Sequence, residues 1–345
     1  INNKNYLSNK KELLISLKEV IPRKPGFAII YSSFAELCPP RDFVPLDAIY
    51  VIKELLQEGW TLAFPSFTFS FCKTGEYCYK TSKSETGILS DWVYYYIKES
   101  KRTFDPIYSF VVVGDKADLL MKCITNSPWD DSSIFYTFEI NNAQHIMLGC
   151  GWGSCTQIHR YEQLSNVPYR FFKEFKGTAN YGEGNCNVIS KMFVRDLKKE
   201  IDLSLIKQKI INCSSYSKIN VFKGRIESLN NNDLFENTMK ILKKDINFFI
   251  KKESSLTNNE KIETEKGICL EDLDNILFSI LEIGSNYDLN TACYGDPLTW
   301  DSMAHFQIIA EIEDKYGISF SVDELSFCQS YRALVKVISS KRSLN

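Results

Sequence analysis

The chain has 345 residues and a formal net charge of −2, with 41 Lys and Arg against 43 Asp and Glu. This length is sufficient for two domains, and the near-neutral charge without a basic patch speaks against a nucleic-acid-binding protein. No apolar run approaches the length of a membrane span. Eleven cysteines without a Cys-x-x-Cys pair, and only three histidines, predict neither a disulfide framework nor a metal site. A cytoplasmic protein with reduced thiols is therefore expected.

The N-terminal half alternates predicted strands and helices. Apolar residues at 26–31 and 60–64 predict buried strands, and an Ile- and Leu-rich helix at 46–57 lies between them. Ser32 and Ser33 follow the first strand. This alternation is typical of an α/β sheet whose functional site lies along the carboxyl edge of the strands.

Three polar residues follow another predicted strand, at 144–149, and a glycine-containing turn. Thr156, His159 and Glu162 are spaced so that the last two share one face of a helix. Histidine is a natural general base because its pKa lies near neutrality. Glu162 is a candidate to orient the imidazole, and Thr156 places a hydroxyl at the same turn, although each also fits an ordinary structural role.

Cys155 leaves a second mechanism open, because it lies four residues before His159. A cysteine beside a histidine can form an acyl-enzyme intermediate. Four residues along a helix do not ensure contact between the two side chains, so direct transfer without this intermediate is the alternative.

The C-terminal region differs in composition. Residues 251–261 are polar and predict a linker. Residues 262–345 carry fourteen acids against six Lys and Arg and show three amphipathic helical patterns. Asp301-Ser302-Met303 stands where one of these helices should begin. A serine there is either a plain N-cap or a residue placed to hold a phosphate at the positive end of a helix.

Residues 7–250 resemble the antibiotic N-acetyltransferases, the family of the aminoglycoside 3-N-acetyltransferases. The matching pieces, in shared order and spacing, are Tyr31-Ser32-Ser33, Pro65-Ser66-Phe67-Thr68, Thr86-Gly87-Ile88-Leu89, Arg102 with Pro106, Ser109-Phe110, Leu148-Gly149, and Thr156 with His159 and Glu162. Tyr31 stands where the family usually has histidine, and Cys155 fits the position before the threonine. The resemblance implies a layered α/β domain that uses acyl-CoA or coenzyme A and transfers directly. It implies catalytic roles for His159, Glu162 and Thr156 and cofactor binding by Ser32, Ser33 and Arg102.

Residues 262–345 are similar to an acyl carrier protein, a small four-helix domain. In that family the serine of an Asp-Ser-Leu signature carries 4'-phosphopantetheine, which implies covalent attachment at Ser302. Met303 replaces the leucine with a side chain of similar volume. The expected organisation is an acyltransferase domain over 1–250, a linker over 251–261 and a carrier domain over 262–345.

The two resemblances together predict an N-acyltransferase that moves an acyl group from its own carrier, or from coenzyme A, to an amino group of an amino sugar or sugar-like acceptor. Its partners would be that small-molecule amine, a phosphopantetheinyl transferase and an acyl-loading enzyme, with no nucleic acid and no membrane. Two alternatives remain: an acetyl-CoA-dependent aminoglycoside resistance enzyme, and an inactive body that serves as a carrier-docking module. The sequence leaves open which acyl group and which acceptor are used, and whether the protein forms a homodimer. It also leaves open whether the carrier serves its own body in cis or a partner in trans.

Overall fold

A computed structural model describes residues 8–182, 184–251, 270–284, 287–292, 300, 302–320, 324, 328 and 330–342. The chain divides into two compact units, residues 1–252 and 253–345. No helix in these described ranges is long and apolar enough to cross a membrane.

The first unit contains the strands of the described chain. They are β1 Phe27–Ser32, β2 Thr61–Pro65, β3 Glu76–Cys78, β4 Lys101–Arg102, β5 Phe110–Val113, β6 Gln144–Leu148, β7 Arg170–Asn180, β8 Asn185–Arg195, β9 Ser217–Val221 and β10 Gly224–Asn230.

The helices of the first unit alternate with these strands. They are α1 Asn9–Val20, α2 Phe34–Leu37, α3 Pro45–Gln57, α4 Phe71–Thr74, α5 Leu89–Tyr96, α6 Ala117–Met121, α7 Ile134–Ile140, α8 Gln157–Leu164, α9 Lys207–Ile210 and α10 Asn231–Lys244. Short 3-10 turns occupy Trp152–Ser154 and Leu203–Ile206.

Seven strands form the central sheet in the order β4-β5-β2-β1-β6-β10-β9. Strand β1 is nearly continuous in apolar residues because helices cover both faces of the sheet. Its side chains alternate between two cores: Ile29 packs into one, and Ala28 and Ile30 pack into the other. The predicted α/β class is confirmed for this unit.

Two strands of the central sheet run in a direction that the strand–helix alternation does not predict. Strand β1 is parallel to β2 and β6, but β5 is antiparallel to β2 and β10 is antiparallel to β6. A second sheet has the order β3-β7-β8, in which β7 and β8 form an eleven-residue antiparallel ribbon. The sequence itself shows short strand patterns near 169–176 and 187–194, which cover only parts of this ribbon.

The second unit is helical over the residues described. Its helices are α11 Leu270–Leu281, α12 Ser302–Tyr316 and α13 Tyr331–Arg342, with a 3-10 turn at Leu289–Thr291. Fully buried Leu277, Ile312 and Leu334 come from the three helices and share one apolar cluster. Most of the predicted linker, Asp301, and most of the short turn that the sequence predicts at 322–325 lie outside the described residues, as do the side chains of Ser302 and Met303.

Candidate active site

The predicted pair His159 and Glu162 lies on helix α8, which follows the carboxyl end of β6 in the chain. Nδ1 of His159 lies 2.7 Å from Oε2 of Glu162, which is fully buried. Arg170, the first residue of β7, completes the group: its Nη2 lies 2.8 Å from the same Nδ1 and its Nε 2.9 Å from the same carboxylate oxygen. The spacing along the helix thus brings base and acid together, and a strand adds a cation.

Glu162 and Arg170 compete for Nδ1 of His159. An ionised carboxylate only accepts hydrogen bonds, whereas the Arg170 guanidinium, whose Nη2 lies 2.8 Å from the same Nδ1, only donates them. The 2.7 Å contact with Glu162 is a hydrogen bond in the tautomer with the proton on Nδ1, which leaves the lone pair of the neutral ring on Nε2. Nε2 makes no hydrogen bond with any residue that the structure describes. This is the protonation state that a general base needs.

The charges around His159 keep it neutral near pH 7. Burial and the positive charge of Arg170 lower its pKa, while the hydrogen bond to Glu162 acts in the opposite direction. Burial acts to raise the pKa of Glu162, but the hydrogen bond from His159 and the charge of Arg170 outweigh it and hold that pKa below its usual value. An ionised Glu162 and a neutral imidazole therefore coexist.

A cavity of about 430 Å³ opens beside His159. Buried Tyr108, Met192, Phe193 and Leu203 provide apolar walls, and the side chain of His159 is 16% exposed. The cavity is large enough for a small organic ligand. The one open nitrogen of the imidazole thus belongs to a residue that lines a ligand-sized space.

Thr156 joins the carboxyl end of β1 to the start of α8. Its hydroxyl donates to the Tyr31 oxygen at 3.4 Å, and the Tyr31 ring stacks on buried His145 with their centroids 6.2 Å apart. Gly149, just after β6, permits close approach to the chain that follows β1, because a Cβ at Gly149 would lie 2.2 Å from the carbonyl oxygen of Ser33. The Tyr31 hydroxyl therefore contacts the predicted catalytic threonine.

Cys155 lies close to a histidine, but to His145 rather than His159. Its Sγ lies 3.9 Å from Nδ1 of His145, whose Nε2 lies 3.1 Å from Oδ1 of Asn231. Cys155 is fully buried, which raises the pKa of its thiol to about 12, and burial lowers the pKa of His145 to about 4. A thiolate–imidazolium pair is disfavoured there, so the geometry favours direct transfer over an acyl-enzyme.

The predicted cofactor-binding residues have different surroundings. Ser32 is half-buried at the end of β1, and the Ser33 hydroxyl accepts from the Glu36 amide at 3.3 Å as the N-cap of α2. Arg102 is buried, with Nε donating to Ser109 at 3.0 Å and Nη2 donating to the carbonyl of Ser66 at 2.8 Å. Because the guanidinium of Arg102 already donates to these partners, a structural role is favoured for it. Cofactor binding by Arg102, Ser32 and Ser33 stays a prediction.

Three charged residues around the site were absent from the sequence-based prediction. Arg170 contacts His159 directly, and Arg195 and Asp202 line the same cavity. Arg170 and Arg195 are directly opposite each other in the β7–β8 ribbon. The strand-like pattern of residues 169–176 was the one sequence signal that could have pointed to Arg170. This pattern does not specify which strand pairs with it or how close it lies to helix α8.

Comparison with known proteins agrees with this fold. The family model for aminoglycoside 3-N-acetyltransferases matches residues 45–243, more than half of the chain. The chain therefore belongs to this family, an N-acyltransferase class of enzyme. No curated protein sequence matches the chain significantly.

Solved structures show the same architecture at low sequence identity. Aminoglycoside acetyltransferase AAC(3)-IVa, as the apoenzyme, is 21% identical with a TM-score of 0.56, over 72% of this chain and 93% of that one. YokD from Bacillus subtilis is 15% identical with a TM-score of 0.59, over 69% of this chain and 94% of that one. A binary complex of AAC-IIIb with CoASH is 13% identical with a TM-score of 0.59, over 69% and 97%. At these identities the likeness concerns the fold.

Proposed function

We propose that the protein transfers an acyl group from the phosphopantetheine thioester on Ser302, or from coenzyme A, to an amino group of an amino sugar or sugar-like acceptor. The observation that carries the proposal is the open Nε2 of His159 in a ligand-sized cavity, with Nδ1 held by Glu162 at 2.7 Å. Coenzyme A in the AAC-IIIb complex and a gentamicin in a complex of an AAC(3)-IVa variant support a thioester donor and an amine acceptor.

The proposed reaction is direct aminolysis of a thioester. The amine nitrogen attacks the thioester carbonyl and forms a C–N bond, while Nε2 of His159 takes the proton that the nitrogen loses. The C–S bond then breaks, and the imidazolium returns this proton to the leaving thiolate. Glu162 stabilises the imidazolium that forms in between, because its carboxylate already accepts from Nδ1. Thr156 is proposed to hold the thioester near this position.

The carrier role of residues 262–345 is the second part of the proposal. Helix α12 begins at Ser302, and residues of all three described helices pack in one core. A helix start offers free backbone N–H groups and the positive end of the helix dipole to a phosphate. Both observations support attachment of 4'-phosphopantetheine at Ser302, in a domain that follows an acyltransferase domain over 1–250 and a linker over 251–261.

Mass spectrometry tests the carrier role directly. Incubation with coenzyme A and a broad-specificity phosphopantetheinyl transferase should add one phosphopantetheine arm to the wild type and none to Ser302→Ala. An unmodified wild-type mass would contradict the carrier assignment. Loading with acetyl-CoA in place of coenzyme A would give an acetyl thioester, and its loss on addition of an amine then tests the acyltransferase.

A further inference from the structure

The charges that line the His159 cavity are unevenly available to a ligand. Arg170, Arg195 and Asp202 are the charged groups there besides the imidazole itself. Glu162 lies next to them but is fully buried and in contact with both His159 and Arg170. A charged ligand pairs most readily with a group that makes no ion pair within the chain.

Glu162 is held in an ion pair, whereas Asp202 makes hydrogen bonds but no ion pair with the described residues. Oδ1 of Asp202 accepts from the backbone N–H of Ser204 at 2.9 Å and from its hydroxyl at 2.5 Å, which caps the 3-10 turn at Leu203–Ile206. Glu162 is the contact of His159 and Arg170. A ligand with several ammonium groups needs several free carboxylates, because a charge that leaves water must be paired. The described lining provides no such set.

The two cationic groups of the lining differ from each other. Arg170 is paired with Glu162, but Arg195 makes no ion pair with any residue in the described part of the chain. Arg195 lies near enough to His159 to lower the pKa of the imidazole through its charge. A guanidinium at the exposed edge of a cavity binds a carboxylate or a phosphate through two parallel N–H donors.

We propose that the acceptor amine carries an anionic group, a carboxylate or a phosphate, which pairs with Arg195 while the amino group lies at Nε2 of His159. This inference rests on the proposed acyltransferase function and narrows its acceptor. A polycationic aminoglycoside is a poor acceptor in this cavity, because Arg195 repels its ammonium groups and Asp202 is the one carboxylate of the described lining, too few for several ammonium groups.

Acceptors that differ only in charge test this inference. Glucosamine and glucosamine 6-phosphate share one amine and one ring, and gentamicin provides a polycation. Each is supplied to the 345-residue protein with acetyl-CoA as donor, and kcat/KM is measured for each amine. An ion pair with an exposed arginine corresponds to about a 2–5-fold preference for the phosphorylated sugar. Arg195→Gln should abolish the preference, and Arg195→Lys should retain part of it.

The control is Arg41→Gln, which removes an exposed arginine that does not line the cavity and should leave the preference unchanged. Equal kcat/KM for the two sugars, or a preference for gentamicin, would overturn the proposal. A rise in KM for acetyl-CoA in Arg195→Gln, with the sugar preference intact, would also overturn it, since Arg195 would then serve the donor.

The proposal and the function on which it rests fail differently. If no amine is acylated by the wild type, the acyltransferase assignment fails. The charge preference is still decided then by calorimetric binding of the two sugars to wild type and Arg195→Gln. Equal affinity in that measurement contradicts the anionic acceptor independently of any turnover.

Discussion

Replacing Glu162 by glutamine changes one carboxylate oxygen at the centre of the site. In the proposed mechanism this carboxylate, 2.7 Å from Nδ1 of His159, holds the proton on that nitrogen and stabilises the imidazolium during transfer. Without its charge, Arg170 at 2.8 Å can donate to Nδ1, and the ring proton then moves to Nε2, where it blocks the base. The same substitution thus affects both the orientation and the protonation of the imidazole.

The expected size of the effect follows from the hydrogen bond that is lost. A hydrogen bond to a charged group contributes about 1.5–3 kcal/mol, and about 1.4 kcal/mol corresponds to a factor of ten in rate. We expect Glu162→Gln to lower kcat by roughly 10–100-fold, since glutamine still fills the same space.

The pH profile separates this role from simple damage to the fold. Glu162 raises the pKa of His159 and Arg170 lowers it. Glu162→Gln should therefore move the acid limb of kcat/KM to lower pH, and Arg170→Gln should move it to higher pH, with the same amine in both assays. Shifts in the same direction for the two variants, or an unchanged limb in both, would refute the assignment of the limb to His159.

Two further substitutions test other parts of the site. Cys155→Ala should reduce transfer much less than Glu162→Gln, and mass spectrometry should find no acyl group on Cys155; a trapped acyl-cysteine would establish a two-step route. Glu227→Gln should lower the free energy of unfolding in urea by about 1–3 kcal/mol, because this buried carboxylate accepts from Trp152 at 2.7 Å and pairs with Lys207 at 2.6 Å. An unchanged urea midpoint would contradict that structural role.

Local spacing in the sequence predicts the part of the site that depends on one helix. His159 and Glu162 are three residues apart, and helical geometry alone places their side chains side by side. The buried strands at the centre of the sheet are equally local, because a run of apolar residues such as that of β1 is covered on both faces.

Tertiary pairing decides the remaining features. The directions of β5 and β10 depend on which neighbour each strand meets, and nothing in their own residues specifies this. Arg170 reaches the site because β7 begins beside α8, and Arg195 reaches the cavity because it lies opposite Arg170 in the ribbon. The contact of Cys155 with His145 instead of His159 likewise depends on the packing of β6 below the turn.

The proton transfer at His159 is the central claim, and His159→Asn tests it most directly. The 345-residue protein is loaded at Ser302 with an acetyl thioester, and the loss of the acetyl group to glucosamine 6-phosphate is followed by intact mass. A general base contributes about 10²–10⁴-fold. We predict that His159→Asn loads normally but transfers at least about a hundredfold more slowly than the wild type. Transfer at the wild-type rate in His159→Asn would contradict this placement of the active site.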